Sequence, residues 1–180
     1  MAWTNPKTWS VGETLTASNF NTHVRDNLNY LNWQHKVKTA DQTVNNSAVL
    51  VNDTHLVFAV ATSEVWHVEV SLMVESNSTA DFKFAWTVPA GATLKWAPLQ
   101  SSTLSTWVYD GTNEVALGDA TTTYNISSPA SGVWGIAARG IAQVGGTAGN
   151  VQLQWAQNTA TGINTNVKQG SLLIAHRVST

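Results

Sequence analysis

The chain has no cysteine, so disulfides and thiolate metal sites are excluded and stability must come from packing, hydrogen bonding and association. Charge is scarce as well. Asp, Glu, Lys and Arg make up 11% of the 180 residues and the formal net charge is -2, against about 25% charged residues in an average soluble protein. The nine cations are scattered, with Lys36 and Lys38 the only close pair. They do not supply the clustered basic surface that phosphate binding or attraction to anionic lipid requires, so no nucleic acid and no membrane is expected as a partner. No run approaches the roughly 20 apolar residues of a membrane span. The opening Met-Ala-Trp-Thr-Asn-Pro lacks the basic and apolar regions of an export signal, which leads us to expect synthesis in soluble form without Sec-type export.

Aromatic residues are plentiful by contrast. Nine are Trp, a side chain that buries a large apolar area but needs a partner for its ring N–H, and so favours cores with polar borders and intersubunit surfaces. Some of the nine are expected at contacts between chains.

Residues 1–13 hold Trp3, Pro6, Trp9 and Gly12 without periodicity, which predicts an extended arm. From Leu15 the pattern changes: Phe20, Val24, Leu28 and Leu31 are spaced four, four and three, and line one face of a helix. Thr16 is placed to cap its first free N–H groups, with Leu15 and Phe20 at the positions of a hydrophobic staple. The opposite face is rich in Asn, a weak helix former, so packing must hold this helix.

After Trp33 the texture is β, with Val, Thr, Trp and Phe in short runs. About ten strands are expected, the clearest being 55–61, 65–75, 80–88, 104–109, 121–126, 133–144, 150–157 and 171–178, with breaks at Asn52-Asp53, Pro89-Ala90-Gly91, Asp110-Gly111, Pro129 and Gly145-Gly146. Alternation puts Val68, Val70, Leu72 and Val74 on one dry face, Phe82, Phe84, Trp86 and Val88 on another, then Val151, Leu153 and Trp155 against Gln152, Gln154 and Gln157, with Leu172, Ile174 and Val178 continuing the theme. Residues 133–144 are apolar on both faces apart from Arg139 and Gln143. Either a neighbouring chain covers this strand, or it is central, with tight contacts at Gly135 and Gly140. The fold class that follows is all-β: an antiparallel β-sandwich or jelly roll preceded by an extended N-terminal arm and one short α-helix. The boundary is placed between residues 1–35, an anchor or oligomerisation segment, and residues 36–180, the sandwich.

Motifs for catalysis, phosphate binding, zinc and calcium are missing. The five His form no ligand pair at helical spacing, and carboxylate pairs such as Glu69 with Glu75, or Asp81 with Asp110, have no sequence context of a glycosidase cleft. We therefore expect no enzyme, no cofactor and no metal. Trp96, Trp107 and Trp134 are candidates to stack on a saccharide; the alternative for each is core or interface filling.

The opening stretch reads Trp3-Thr4-Asn5-Pro6-Lys7-Thr8-Trp9, Gly12-Glu13, Leu15-Thr16-Ala17 and His23-Val24-Arg25-Asp26-Asn27-Leu28. It resembles the N-terminal signature W-x-x-P-x-T-W-x-x-G-E-x-x-T-A followed by N-x-x-I-R-D-N of tailed-bacteriophage virion structural proteins, with Val24 in place of Ile. The resemblance covers about the first thirty residues. Beyond them only the β texture, a V-P-A-G-A turn at 88–92 and a closing G-S-x-L-x-A-x-R at 170–177 are similar. It implies a virion component of the minor capsid, decoration, head-fibre or tail-fibre type at the surface of the phage particle, and by analogy a homotrimer. The major capsid protein or another virion component would be its partner. Trp3, Pro6, Trp9, Phe20, Val24, Arg25, Asp26, Asn27, Leu28 and Leu31 would form the attachment surface. A tail-associated member would also bind a host surface glycan.

Overall fold

Strict alternation from Val65 to Glu75 dictates a strand with one dry face, and this strand is the spine of the molecule. The computed structural model describes residues 4–99 and 117–179. Its strands are β1 (Gln34–Val37), β2 (Gln42–Val44), β3 (Val51–Val60), β4 (Val65–Glu75), β5 (Phe82–Thr87), β6 (Thr93–Pro98), β7 (Tyr124–Ile126), β8 (Val133–Gln143), β9 (Gly149–Gln157), β10 (Thr165–Val167) and β11 (Leu172–Ser179). The expected strand at 104–109 and the turn at Asp110-Gly111 lie outside the described residues.

Every pairing is antiparallel. One sheet runs β1-β11-β4-β8-β6, with β10 and β2 continuing the β11 and β1 positions along the far half of β4; the other runs β3-β9-β5-β7. Taking β1, β3, β4, β5, β7, β8, β9 and β11 as strands one to eight, the sheets read 1-8-3-6 and 2-7-4-5. That is the connectivity of a jelly roll, with β6 added at the β8 edge. The expected fold class is what the chain adopts.

Between the sheets lies an aromatic core: Trp66, Trp86, Trp96 and Trp155 are at most 5% exposed, and Trp96 meets Phe84 at 5.0 Å and Tyr124 at 4.7 Å between ring centroids. Trp155 donates its ring N–H to Asp53 at 3.1 Å. Two charged pairs are buried with the core. Lys38 and Asp53, both fully buried, meet at 2.8 Å, and the other oxygen of Asp53 accepts from the amides of His55 and Leu56, each at 2.9 Å. Arg177 meets Glu64 at 2.7 Å.

Several expectations need correcting. Asn52-Asp53 is no turn; it lies inside β3, where the register shifts between Asn52 and Val57 and the buried Asp53 carboxylate stands in for ladder partners. Leu173, Ala175 and Arg177 face inward from β11, whereas Leu172 and Ile174 are half-buried and Val178 is exposed. The run L-L-I-A is apolar at both parities, and Arg177 fixes the parity by reaching Glu64. Gln157 shares the inward parity of Trp155 and is fully buried, its amide donating to the Ile163 carbonyl at 2.5 Å and its oxygen accepting from the Ser47 and Thr161 amides. In β8, Gly140 has a steric reason: a Cβ there would lie 2.6 Å from the Trp96 Cβ and 2.7 Å from the Lys95 carbonyl oxygen. At Gly135 a Cβ would make only an ordinary contact, 3.9 Å from the Leu72 carbonyl oxygen, and the outward Val133 and Ile141 are exposed.

Candidate functional site

The residues singled out by the signature fall on an arm and a helix at the end of the sandwich where β4 begins. The helix runs continuously as α1 (Ala17–Phe20), a π-helical turn (Asn21–Arg25) and α2 (Asp26–Leu31). Thr16 is its N-cap, accepting from the Asn19 amide at 3.2 Å, as the sequence predicts. The π turn inserts extra chain into the helix, and Asn27 becomes its buried residue at 5% exposure.

Asn27 binds the arm as a neighbouring strand would. Its Oδ1 accepts from the Thr4 amide at 3.0 Å, while its Nδ2 donates to the Thr4 carbonyl at 2.7 Å and to the His23 carbonyl at 3.2 Å. Further along, His23 Nδ1 pairs with the Asn5 carbonyl at 3.1 Å, and Trp9 stands edge-on to the His23 ring at 6.4 Å. Gly12, with φ +81°, allows the turn that brings Glu13 back to Lys7 and to the Ser10 amide. These two donors, Lys7 first, hold the Glu13 carboxyl below its ordinary pKa. Signature positions Gly12, Glu13, Thr16 and Asn27 thus each have a structural role: Gly12 and Glu13 turn the arm, Thr16 caps the helix, and Asn27 ties the two together.

The predicted apolar face is turned largely to solvent. Phe20 is 47% exposed, Leu28 63% and Leu31 50%, so this face does not hold the helix to the sandwich. Polar-ended groups that the sequence reading missed make that junction. Tyr30 lies over the Arg177 guanidinium at 4.4 Å, and Trp33 stacks on His176 at 4.8 Å with planes 15° apart. Their only sequence signal was a Trp and a Tyr flanking the helix end. Arg177 is in turn held by Glu64, whose second oxygen accepts from the Ala61 amide at 2.8 Å and the Trp66 ring at 3.0 Å. Burial alone would push the Glu64 carboxyl up, but the Ala61 amide, Arg177 and Trp66 together bring it below its ordinary pKa.

Trp9, Leu15, Phe20 and Val24, with Glu13, surround a hollow of ≈ 280 Å³, so the two staple residues do border one space. Pro6 and Val11 are exposed. Arg25 is exposed and pairs with its neighbour Asp26 at 2.7 Å. Trp3 lies outside the described residues. Among the described tryptophans only Trp9 and Trp33 are exposed beyond a third, and both belong to this module.

The saccharide candidates fare differently. Trp96 is 1% exposed and donates its ring N–H to the Asp119 carbonyl at 2.9 Å, so no sugar can stack on it. Trp134 is half-buried, edge-on to Phe82 at 6.3 Å. Trp107 lies outside the described residues. Of the carboxylates considered, Glu69 faces His67 and Arg139 on the outer surface of β4, and Asp81 accepts from the Ser128 amide at 2.8 Å. No group of three or more side chains suited to a metal occurs among the described residues. No helix among them is long and apolar enough to cross a membrane.

No family model matches the chain, and no curated protein matches it. Among solved structures it is similar to the tripod (BppUct-A-L) from the baseplate of bacteriophage Tuc2009, at 12% identity and a TM-score of 0.33, over 97% of this chain and 75% of that one. A likeness at that score carries no argument about what this chain does.

Proposed function

We propose that the chain is a non-enzymatic structural component of a tailed-phage particle, a capsid decoration or head-fibre protein that binds the shell through its N-terminal arm and helix and assembles as a trimer. The observation that carries this reading is the outward apolar surface of that module: Trp9, Val11, Leu15, Phe20, Leu28 and Leu31 are all 39% exposed or more, on a segment whose polar Asn27 is buried. Contiguous exposed apolar surface of this kind marks an interaction site. The signature resemblance supplies the partner class, a virion component. Self-association draws on the uncovered Val133, Ile141 and Met73 on the outer face of β4 and β8, and sedimentation of the purified chain tests it; a stable monomer at micromolar concentration removes the trimer.

The attachment test is incorporation. Protein lacking residues 1–33 should fail to join particles that lack the native protein, while retaining a folded body. Incorporation at wild-type occupancy would overturn the reading. The second reading, a tail-associated fibre or receptor-binding protein that recognises host polysaccharide, draws on a polar groove at the opposite end of the sandwich. Labelled antibody on intact particles separates head from tail.

A further inference from the structure

At the end of the jelly roll opposite the helix, the connections β2–β3, β4–β5, β7–β8 and β9–β10 converge, because β4 ends there against the start of β8 and against β10. Segments around Glu75, Asn77, Gly132 and Asn164 line an open groove of ≈ 530 Å³, within the ~300–1,000 Å³ of small-molecule sites. Its loops are tied to one another. Asp81 accepts from the Ser128 amide at 2.8 Å, the Ser76 and Thr165 hydroxyls meet at 2.8 Å, and Asn46 donates its amide to the Thr161 carbonyl at 2.8 Å. A site fixed in this way loses little conformational freedom when a ligand binds.

The partners also fix which way each side-chain amide points. Asn77 Oδ1 accepts from the Thr79 and Ala80 amides at 3.2 and 2.8 Å. Asn45 Nδ2 donates to the Gly162 carbonyl at 2.9 Å, so the Asn164 atom 2.8 Å from it must be the oxygen. Asn166 Nδ2 donates to Glu75 Oε2 at 3.0 Å, and Lys168 reaches the same oxygen at 3.2 Å. Asn166 first, then Lys168, keep the Glu75 carboxyl below its ordinary pKa, so it is ionised at neutral pH. What is left facing the groove, with no partner among the described residues, is two donors, Nδ2 of Asn77 and of Asn164, one charged acceptor, Oε1 of Glu75, and the hydroxyl of the exposed Ser131, which can do either.

That set discriminates between ligand classes. An ionised carboxylate repels phosphate and sulfate. A calcium ion needs six to eight oxygens, and the amide oxygens here are already engaged. Two donors and one charged acceptor around a pocket suit hydroxyl groups, each of which both donates and accepts. Beside them Ala130 and the 49% exposed Ile163 offer an apolar edge. We propose that this groove binds a neutral saccharide: Glu75 Oε1 accepts from one hydroxyl, the Asn77 and Asn164 amides donate to others, and the C–H face of the ring rests on Ile163. The proposal requires only the folded sandwich and is independent of how the chain attaches to a particle.

The test is a titration of the full ¹⁵N-labelled chain with glucose, galactose and N-acetylglucosamine, with glycerol as control, followed by two-dimensional NMR. At least one sugar should give saturable shifts confined to Asn77, Gly132, Ile163 and Asn164, with a dissociation constant on the order of 1 mM. Glu75→Ala and Ile163→Ser should each weaken binding about tenfold or more, and the exposed Ile163 guards against a folding artefact at Glu75. No saturable shift with any of the three at about 50 mM, shifts that glycerol reproduces, or shifts away from the groove would each overturn the proposal. Glu75→Ala protein should enter particles at wild-type occupancy, so a failed titration and a failed attachment model are separate results.

Discussion

The sandwich and the N-terminal module bury opposite things. In the sandwich, aromatic and branched side chains fill the interior and the charges inside it are paired: Lys38 with Asp53, Arg177 with Glu64. In the module a neutral amide, Asn27, is buried and the apolar side chains point outward. The sandwich fills its interior with its own side chains. The module has used hydrogen bonds to shape itself and has kept its hydrophobic surface uncommitted, which is the arrangement expected of a segment whose order is completed by docking.

The sharpest way to break this comparison is to separate the parts. Removal of residues 1–33 should abolish particle incorporation yet leave cooperative β-sheet melting by circular dichroism. Removal of residues 1–37 should not be equivalent, because it takes away β1, which pairs with β11 from Gln34 to Val37, and a lower melting temperature is expected.

Next in size are the buried charges. Lys38→Met leaves the Asp53 carboxylate unpaired in the core and should cost about 3–5 kcal/mol in urea unfolding. Adding Asp53→Asn, which keeps an acceptor for the His55 and Leu56 amides while removing the charge, should recover about half of that loss. If the double variant is the less stable one, the charge itself is not the problem.

Third is Gly140→Ala, which forces a methyl group against Trp96 and the Lys95 carbonyl and should cost about 1–3 kcal/mol by the same measurement. Gly135→Ala, whose methyl group would meet only the Leu72 carbonyl oxygen at an ordinary 3.9 Å, should be near neutral, and equal costs at both positions would contradict the close packing of β6 on β8.

The pH dependence of Glu64 should be smaller. Its folded pKa lies below the ordinary 4.5, so the unfolded chain binds more protons in that range. The stabilisation is complete above 4.5 and disappears as pH falls through the folded value. Glu64→Gln should therefore lose less stability than wild type between neutral and acidic pH, and parallel pH profiles would remove the assigned role.

Least disruptive is Asn27→Ala, costing about 1 kcal/mol and confined to the module: faster proteolysis within residues 4–16 with an unchanged melting temperature of the sandwich. A lowered melting temperature would mean that the two regions are one cooperative unit.

Much of the sandwich was legible because period-two alternation is a local property. Val65–Glu75 is found at the bounds its pattern predicts, and Thr16 caps the helix as its spacing suggests. Where both parities are apolar, as in Leu172–Ala175, alternation is silent, and the face was chosen by a residue 113 positions away in sequence, Glu64 for Arg177. β1, β2, β6 and β10, three to six residues long, were not among the clearest expected strands, whereas β5 and β7, no longer, lay inside longer β-textured runs. At the site, the sequence marked the N-terminal segment and its outward aromatics through composition and resemblance. That Asn27 would clamp Thr4, and that the two amides and one carboxylate of the distal groove would meet, was decided only in three dimensions, since those pairings join loops far apart in the chain. The sequence by itself determined which residues want to leave water; the tertiary structure decided which of them could, because burial needs a facing surface, and it left Phe20, Leu28 and Leu31 of the N-terminal face exposed.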